Sequence, residues 1–198
     1  MKFARLQFLA IIGAVGLCMN PASGQGTLQI TFDGPPSQPP GTQFGVTSYS
    51  ESGMFFTPID TNTAGSQFTR NGGGISGYPD NGTPYLQAGD PLAFSFTDGS
   101  PFGLASVDLA GYSSVVPDFT IDFVGYLVGG GTVTNSFSGT GINFQTFHFN
   151  PDFNDVTRVE IDAPDWSLDN LVVSVPEPGV FALLTLGVVI FARRHLMK

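Results

Sequence analysis

The sequence predicts an all-β chain: a single antiparallel β-sandwich of jelly-roll type, preceded by an N-terminal signal helix and followed by a short C-terminal hydrophobic helix. Three observations predict it. Short runs of alternating apolar and polar residues recur through the middle of the chain, punctuated by Gly, Pro and Asn. No stretch of that middle carries a sustained 3.6-residue apolar stripe. The 198 residues include 26 Gly, 15 Pro and 19 Phe, which supply the turns and the aromatic core that a two-sheet stack of short strands needs.

The first element is an address. Lys2 and Arg5 precede an apolar run from Phe8 to Met19, followed by the small-residue segment Asn20-Pro21-Ala22-Ser23-Gly24-Gln25. Charged, apolar and small segments in that order make a secretory signal, with a run too short to favour a stable span. Residues 1–25 are therefore read as a signal peptide cut after Gly24 or a neighbour. The only cysteine, Cys18, would leave with it. Leu17 stands before Cys18, where a lipoprotein signal wants a small residue. The body is then free of thiols, disulfides and Cys-ligated metal.

Residues 26–174 follow as one domain. Leu28, Ile30 and Phe32 alternate with Gln29 and Thr31 and open the strand series. Runs at 44–49, 53–57 and 84–87 come next, then Leu92, Phe94 and Phe96, then 103–110. Phe119, Ile121 and Phe123 alternate with Thr120 and Asp122, and Thr132 to Phe137 continues in β-branched style. Runs at 144–149, 156–162 and 166–174 complete the series. Between them, Pro35 to Gly41 is a stiff connector and Arg70 to Thr83 a glycine-rich excursion. Asn150-Pro151-Asp152-Phe153-Asn154-Asp155 begins like a calcium loop, but it lacks the sixth-position glycine and has Ile161 at the twelfth. It reads as a turn into the strand at Val156.

The last element is Val175-Pro176-Glu177-Pro178, an apolar run from Gly179 to Ala192, then Arg193-Arg194. Pro176 and Pro178 deny helix and strand continuity and make a protease-accessible joint. The run of about 14 residues spans only ~21 Å as a helix, short of a ~30 Å hydrocarbon core, with the arginines held on the cytoplasmic side. Residues 175–198 resemble the PEP-CTERM sorting signal: Pro-Glu-Pro, short transmembrane helix, basic tail. The resemblance implies an exosortase substrate, transiently anchored in the inner membrane and then passed to the cell surface or exterior. Pro176, Glu177, Pro178, Arg193 and Arg194 would then be recognition and processing residues. A plain C-terminal anchor and a core helix are the alternatives.

Charge excludes some partners. Of the seven basic residues only Arg70 and Arg158 lie within 26–175, against fifteen of the sixteen acids, a formal −13 for the body where the whole chain has −9. Two cations cannot neutralise a phosphate backbone, so nucleic acid is not a partner, and anionic lipid surfaces are disfavoured.

The clearest motif of the body is Trp166-Ser167-Leu168-Asp169-Asn170-Leu171-Val172-Val173. It resembles the last strand of galactose-binding-like jelly rolls and carbohydrate-binding modules. The resemblance implies a structural calcium at Asp169, with Asp33 after the first strand as partner, since Ca²⁺ takes hard carboxylate and carbonyl oxygens. The other reading is an aspartate hydrogen-bonded to a neighbouring loop; apart from this calcium no cofactor is expected. The triple glycine at 72–74 lacks the Gly-Lys-Ser/Thr continuation of a phosphate loop. His148, flanked by Phe147 and Phe149, is expected to point outward on its strand. Carboxylate pairs such as Asp118 with Asp122, or Asp162 with Asp165, have no spacing that selects them for glycoside chemistry.

Sugar binding needs aromatic faces beside polar groups, and Trp166, Tyr78, Tyr85 and Tyr112 are the candidates. Tyr78 leads, in a loop beside Asp80 and Asn81; for Trp166 the competing reading is a core aromatic. The sequence thus points to an exported, non-catalytic surface or matrix protein, a substrate of signal peptidase and exosortase, with extracellular polysaccharide as its candidate ligand. An exopolysaccharide hydrolase or lyase on the same scaffold is the alternative.

Overall fold

The computed structural model describes residues 25–59 and 67–176; the signal segment and the sorting tail beyond Pro176 lie outside them. Gly26–Val175 form one compact unit. Among the described residues no helix is long and apolar enough to cross a membrane.

The unit is an antiparallel β-sandwich. Its strands are β1 (Gln25–Ile30), β2 (Gln43–Val46), β3 (Tyr49–Glu51), β4 (Met54–Pro58), β5 (Phe68–Asn71), β6 (Tyr85–Ala88) and β7 (Leu92–Phe96). They continue with β8 (Gly103–Gly111), β9 (Asp118–Leu127), β10 (Thr132–Thr140), β11 (Gln145–His148), β12 (Val156–Ile161) and β13 (Trp166–Pro176). One sheet has the order β11-β8-β13-β6-β5-β2, with β1 pairing β13; the other has the order β10-β9-β12-β7-β4-β3. Neighbours in the sheets are mostly distant in sequence, as sandwich crossovers require.

Alternation sets the layers. On β9, Phe119, Ile121 and Phe123 are buried while Thr120 and Asp122 are exposed. The inner faces are filled by rings. Phe32, Phe56 and Phe94 follow one another at centroid spacings of 5.3 Å, and Phe137 and Phe149 lie 5.2 Å apart beside Phe123 and Phe153. Most of these pairs are tilted or edge-on, the arrangement the ring quadrupole favours, and each adds about 0.5–1.5 kcal/mol beyond its buried area.

Two departures from the sequence reading have physical causes. The run at 44–49 is not one strand: β2 belongs to the first sheet and β3 to the second, so the chain changes sheets at Thr47-Ser48. The crossing puts Tyr49 into the core against Phe32, 5.7 Å between centroids. Strand β5 falls partly where a loop was expected, because its Arg70 and Asn71 are buried polar residues that an alternation rule reads as exposed. At 150–155 the expected turn is present: Asn150 caps a single 3-10 turn, its side chain accepting from the Asp152 amide at 3.1 Å.

Arg70 fastens the proline-rich connector to the sandwich. It is 1% exposed, and its guanidinium donates to three backbone carbonyls, those of Pro36 (2.6 Å), Phe32 (2.6 Å) and Gly34 (2.8 Å). It also lies over the Tyr49 ring, 4.4 Å from the centroid. The Tyr49 hydroxyl donates to Glu51 at 2.7 Å and accepts from the Gly34 amide at 3.0 Å. Burial, then the Glu51 carboxylate, raise that hydroxyl's pKa well above the ordinary tyrosine value. With the connector held, the Gly41 amide reaches the Gly73 carbonyl at 2.7 Å, and the Gly72 amide reaches Thr42 at 2.9 Å. These bonds fix the start of the glycine-rich excursion.

Candidate functional site

The site is the outer face of the first sheet. Leu86 on β6 and Leu168 on β13 point into the core, so their neighbours Tyr85, Gln87, Ser167 and Asp169 point outward. All four are nonetheless buried. The cause is the excursion 72–84, together with the segment 112–117, which lies against it: the Ser114 amide donates to the Gly77 carbonyl at 2.8 Å. Gln87 is satisfied beneath them, its amide donating to the Tyr112 carbonyl at 2.6 Å.

Asp169 is the anchor of this cover. Strand β13 slips register between Asp169 and Val172, with Asn170 at φ 47. The extra residue of this bulge lets Leu168, Leu171 and Val173 all face the core while Asp169 and Asn170 face out. Asp169 accepts from Asn81 Nδ2 (2.6 Å), Thr83 Oγ1 (3.1 Å) and the Asn170 amide (2.7 Å). Asn170 in turn donates to Asp108 at 2.9 Å and accepts from Gln29 at 2.7 Å. Burial is the dominant influence on Asp169 and pushes its carboxyl up to about 7; the hydrogen bonds pull the other way, and the Asp108 carboxylate adds to the rise.

These partners decide between the two readings of Asp169. Its carboxylate faces N–H and O–H donors, which suit a carboxylate held by a loop rather than one sharing a calcium with other oxygens. Asp33 is exposed beyond β1, and the carbonyls on either side of it, those of Phe32 and Gly34, accept from Arg70. Among the described residues no group of three or more His, Cys, Asp or Glu gathers as a metal-ligand set. The residues present do not fit the calcium the motif resemblance implied.

The aromatic candidates separate. Trp166 has no exposed surface; it packs in the core and its indole N–H donates to the Ala163 carbonyl at 2.7 Å. It offers no face to a sugar, and its candidacy as a carbohydrate contact is corrected to that of a core aromatic. Tyr78 and Tyr112 are each half-buried and meet edge to face, 6.2 Å between centroids at 66°. Asp80 is exposed two residues on, its carboxylate accepting from the Gly82 amide at 3.0 Å. Tyr85 lies beneath, edge to face with Phe144 at 5.3 Å. Its hydroxyl is buried and has no hydrogen-bond partner among the described residues. Burial, then the charge of Asp80 and the nearby Tyr78 and Tyr112, hold that hydroxyl well above the ordinary tyrosine range.

Comparison with solved structures gives distant neighbours. One is a mutant of a family 29 carbohydrate-binding module, 11% identical, with a TM-score of 0.39 over 77% of this chain and 87% of that one. A second is the CBM22-1 and GH10 modules of a Clostridium thermocellum endo-1,4-beta-D-xylanase complexed with xylohexaose, 13% identical, TM-score 0.33, covering 78% of this chain. A third is PfGH50B, 8% identical, TM-score 0.34, covering 76% of this chain. The chain spans 28% and 23% of the lengths of these last two. No protein-family model and no curated protein matches the sequence. The function of the site accordingly rests on its own geometry.

The acid–base candidates are scattered. His148 is exposed on β11. Asp118 and Asp122 sit four residues apart on β9, about 13 Å along the strand. Each is bonded to a different hydroxyl of β10, Thr140 and Ser136. Asp162 and Asp165 are exposed in the turn before β13. Residues that sequence reasoning did not assign to the site are Asp108, Gln29 and Asn170, whose network forms only because the bulge turns two successive polar residues outward.

Proposed function

We propose that this chain is an exported, non-catalytic cell-surface or extracellular-matrix protein that binds polysaccharide through the Tyr78–Tyr112 face of its sandwich. The observation that carries the binding reading is the half-buried tyrosine pair Tyr78–Tyr112 beside the exposed Asp80. Aromatic rings with polar groups at their margins are what a sugar needs, since a pyranose stacks through its C–H face and hydrogen-bonds at its edge. The separate hydroxyl partners of Asp118 and Asp122 favour a binding protein over the hydrolase alternative. Retention of the protein on immobilised polysaccharide, lost in Tyr78→Ala, tests this reading.

Export rests on the two ends of the sequence. Signal peptidase would remove residues 1–25, and an exosortase would act at Pro176-Glu177-Pro178 while Arg193 and Arg194 hold the tail at the inner membrane. Intact mass of the extracellular form tests it: a species ending near Pro178 supports processing, and one that extends through Lys198 refutes it.

A further inference from the structure

We propose that Asn81 is a self-modification site: the Gly82 amide nitrogen attacks the Asn81 carboxamide to give a succinimide, which water opens to aspartate or isoaspartate, with Asp80 taking a proton and Asp169 supplying one.

The excursion holds two Asn-Gly pairs, Asn71-Gly72 and Asn81-Gly82. A following glycine leaves the attacking nitrogen unshielded in both. The fold separates them. Asn71 and Gly72 are buried, and the Gly72 amide donates to the Thr42 carbonyl at 2.9 Å, an acceptor too weak to remove its proton. Asn81 and Gly82 are exposed, and a Cβ at Gly82 would meet nothing within 4 Å, so there is room for the ring and for water.

Four groups stand on the reacting atoms of the second pair. The Gly82 amide donates to Asp80 Oδ1 at 3.0 Å, which puts a carboxylate base on the proton that must leave. Asn81 Oδ1 accepts from the Thr83 amide at 3.2 Å and the Thr83 hydroxyl at 2.8 Å. That turn folds the side chain back over the Gly82 peptide and sets two donors where negative charge develops. Asn81 Nδ2 lies 2.6 Å from Asp169 Oδ2. Burial pushes that carboxyl up to about 7, so it can carry the proton the departing nitrogen needs.

The step balances. The bond from Gly82 N to Asn81 Cγ forms as the amide proton passes to Asp80. The Cγ–Nδ2 bond breaks as Asp169 protonates the nitrogen, which leaves as ammonia. One water then adds to a ring carbonyl, and the two acids re-equilibrate their protons with solvent. The new carboxylate has lost the donor that Asn81 offered Asp169 and faces it as a like charge, so the tie between excursion and β13 is cut irreversibly.

The test follows both Asn-Gly pairs by peptide mapping with mass spectrometry and isoaspartate detection, in full-length protein held at neutral pH in detergent micelles and in the same protein unfolded in urea. Conversion at Asn81 in the folded protein should be at least about tenfold faster than at Asn71, and faster by a similar factor than at Asn81 in urea. Asp80→Asn keeps an acceptor for the Gly82 amide but no base, and should slow conversion about tenfold, whereas Asp118→Asn, on the other sheet, should leave it unchanged. Cleavage by added protease within residues 72–84 should rise with the converted fraction. Conversion no faster in the folded protein than in urea overturns the proposal, because the pair would then be only an ordinary Asn-Gly sequence. An undiminished rate in Asp80→Asn, or equal slowing by Asp80→Asn and Asp118→Asn, overturns it as well, and proteolysis that ignores conversion overturns the release of the excursion.

Discussion

Asn81 and Asp169, 88 residues apart in the chain, are joined by a 2.6 Å hydrogen bond in which the Asn81 amide donates to a carboxylate with no solvent exposure. The bond links the far end of the glycine-rich excursion to the centre of the first sheet. It explains how an exposed-looking loop holds Tyr78 in place, and why the outer face of that sheet is both polar and covered.

Asp169 gives the fold a distinctive pH dependence. Its folded pKa of about 7 lies above the ordinary value of 3.8. The folded state therefore binds more protons than the unfolded chain between those two values, and stability falls as pH rises from about 4 to about 7, by at most ~1.4 kcal/mol per pH unit. Asp169→Asn removes this titration. Urea unfolding of the variant across that window should give a flatter profile than the parent; parallel profiles would contradict the assignment.

Arg70 acts through the direction of its fork. Lysine keeps the charge but cannot present N–H groups to Phe32, Gly34 and Pro36 in the same plane. Arg70→Lys should cost about 2–4 kcal/mol in chemical denaturation, as expected when buried carbonyls lose charged donors. A loss within ~0.5 kcal/mol would indicate that the connector holds without the clamp.

Gly72 lies where a side chain has no room. A Cβ there would run into the carbonyl of Pro39, which is backbone and cannot turn away. Gly72→Ala should destabilise the fold by about 1–3 kcal/mol and shift the excursion, so glycan retention should fall along with stability. Proteolysis within residues 72–84 should quicken in the variant, and unchanged proteolysis would argue that the excursion is fixed by other contacts.

Trp166 and Tyr78 should separate stability from binding. Trp166→Phe leaves a void and the Ala163 carbonyl without its indole partner, and should cost about 2–4 kcal/mol while glycan affinity stays unchanged. Affinity that falls with Trp166→Phe under conditions where the variant is folded would place part of the site at the core end of β13.

The clearest strand in the sequence is one with a wet face: Phe119 to Phe123 alternates in sequence, and in the structure Thr120 and Asp122 are exposed while the phenylalanines and Ile121 are buried. Legibility failed where polar residues are covered. Arg70, Gln87, Ser167 and Asp169 are all buried, and each is polar for a reason that lies in another segment: a connector carbonyl, a loop amide, a neighbouring strand. Tyr78 could be chosen from its own loop, but the burial of Tyr85 depends on the excursion folding back over β6, which no local pattern encodes. The same holds for Trp166, whose flanking residues fit both a binding platform and a core. The change of sheets between β2 and β3 is marked in the sequence only by a break of phase: Phe44 and Val46 alternate in step with Ser48, and Tyr49 falls one residue later.

The central claim is that the tyrosine face binds sugar. Its most direct test is the glycan affinity of full-length protein and of Tyr78→Ala, measured at a temperature where thermal unfolding shows both proteins to be folded. The account predicts that the substitution lowers affinity about tenfold or more, the loss expected when one aromatic contact is removed. Equal affinity of the two proteins would contradict it.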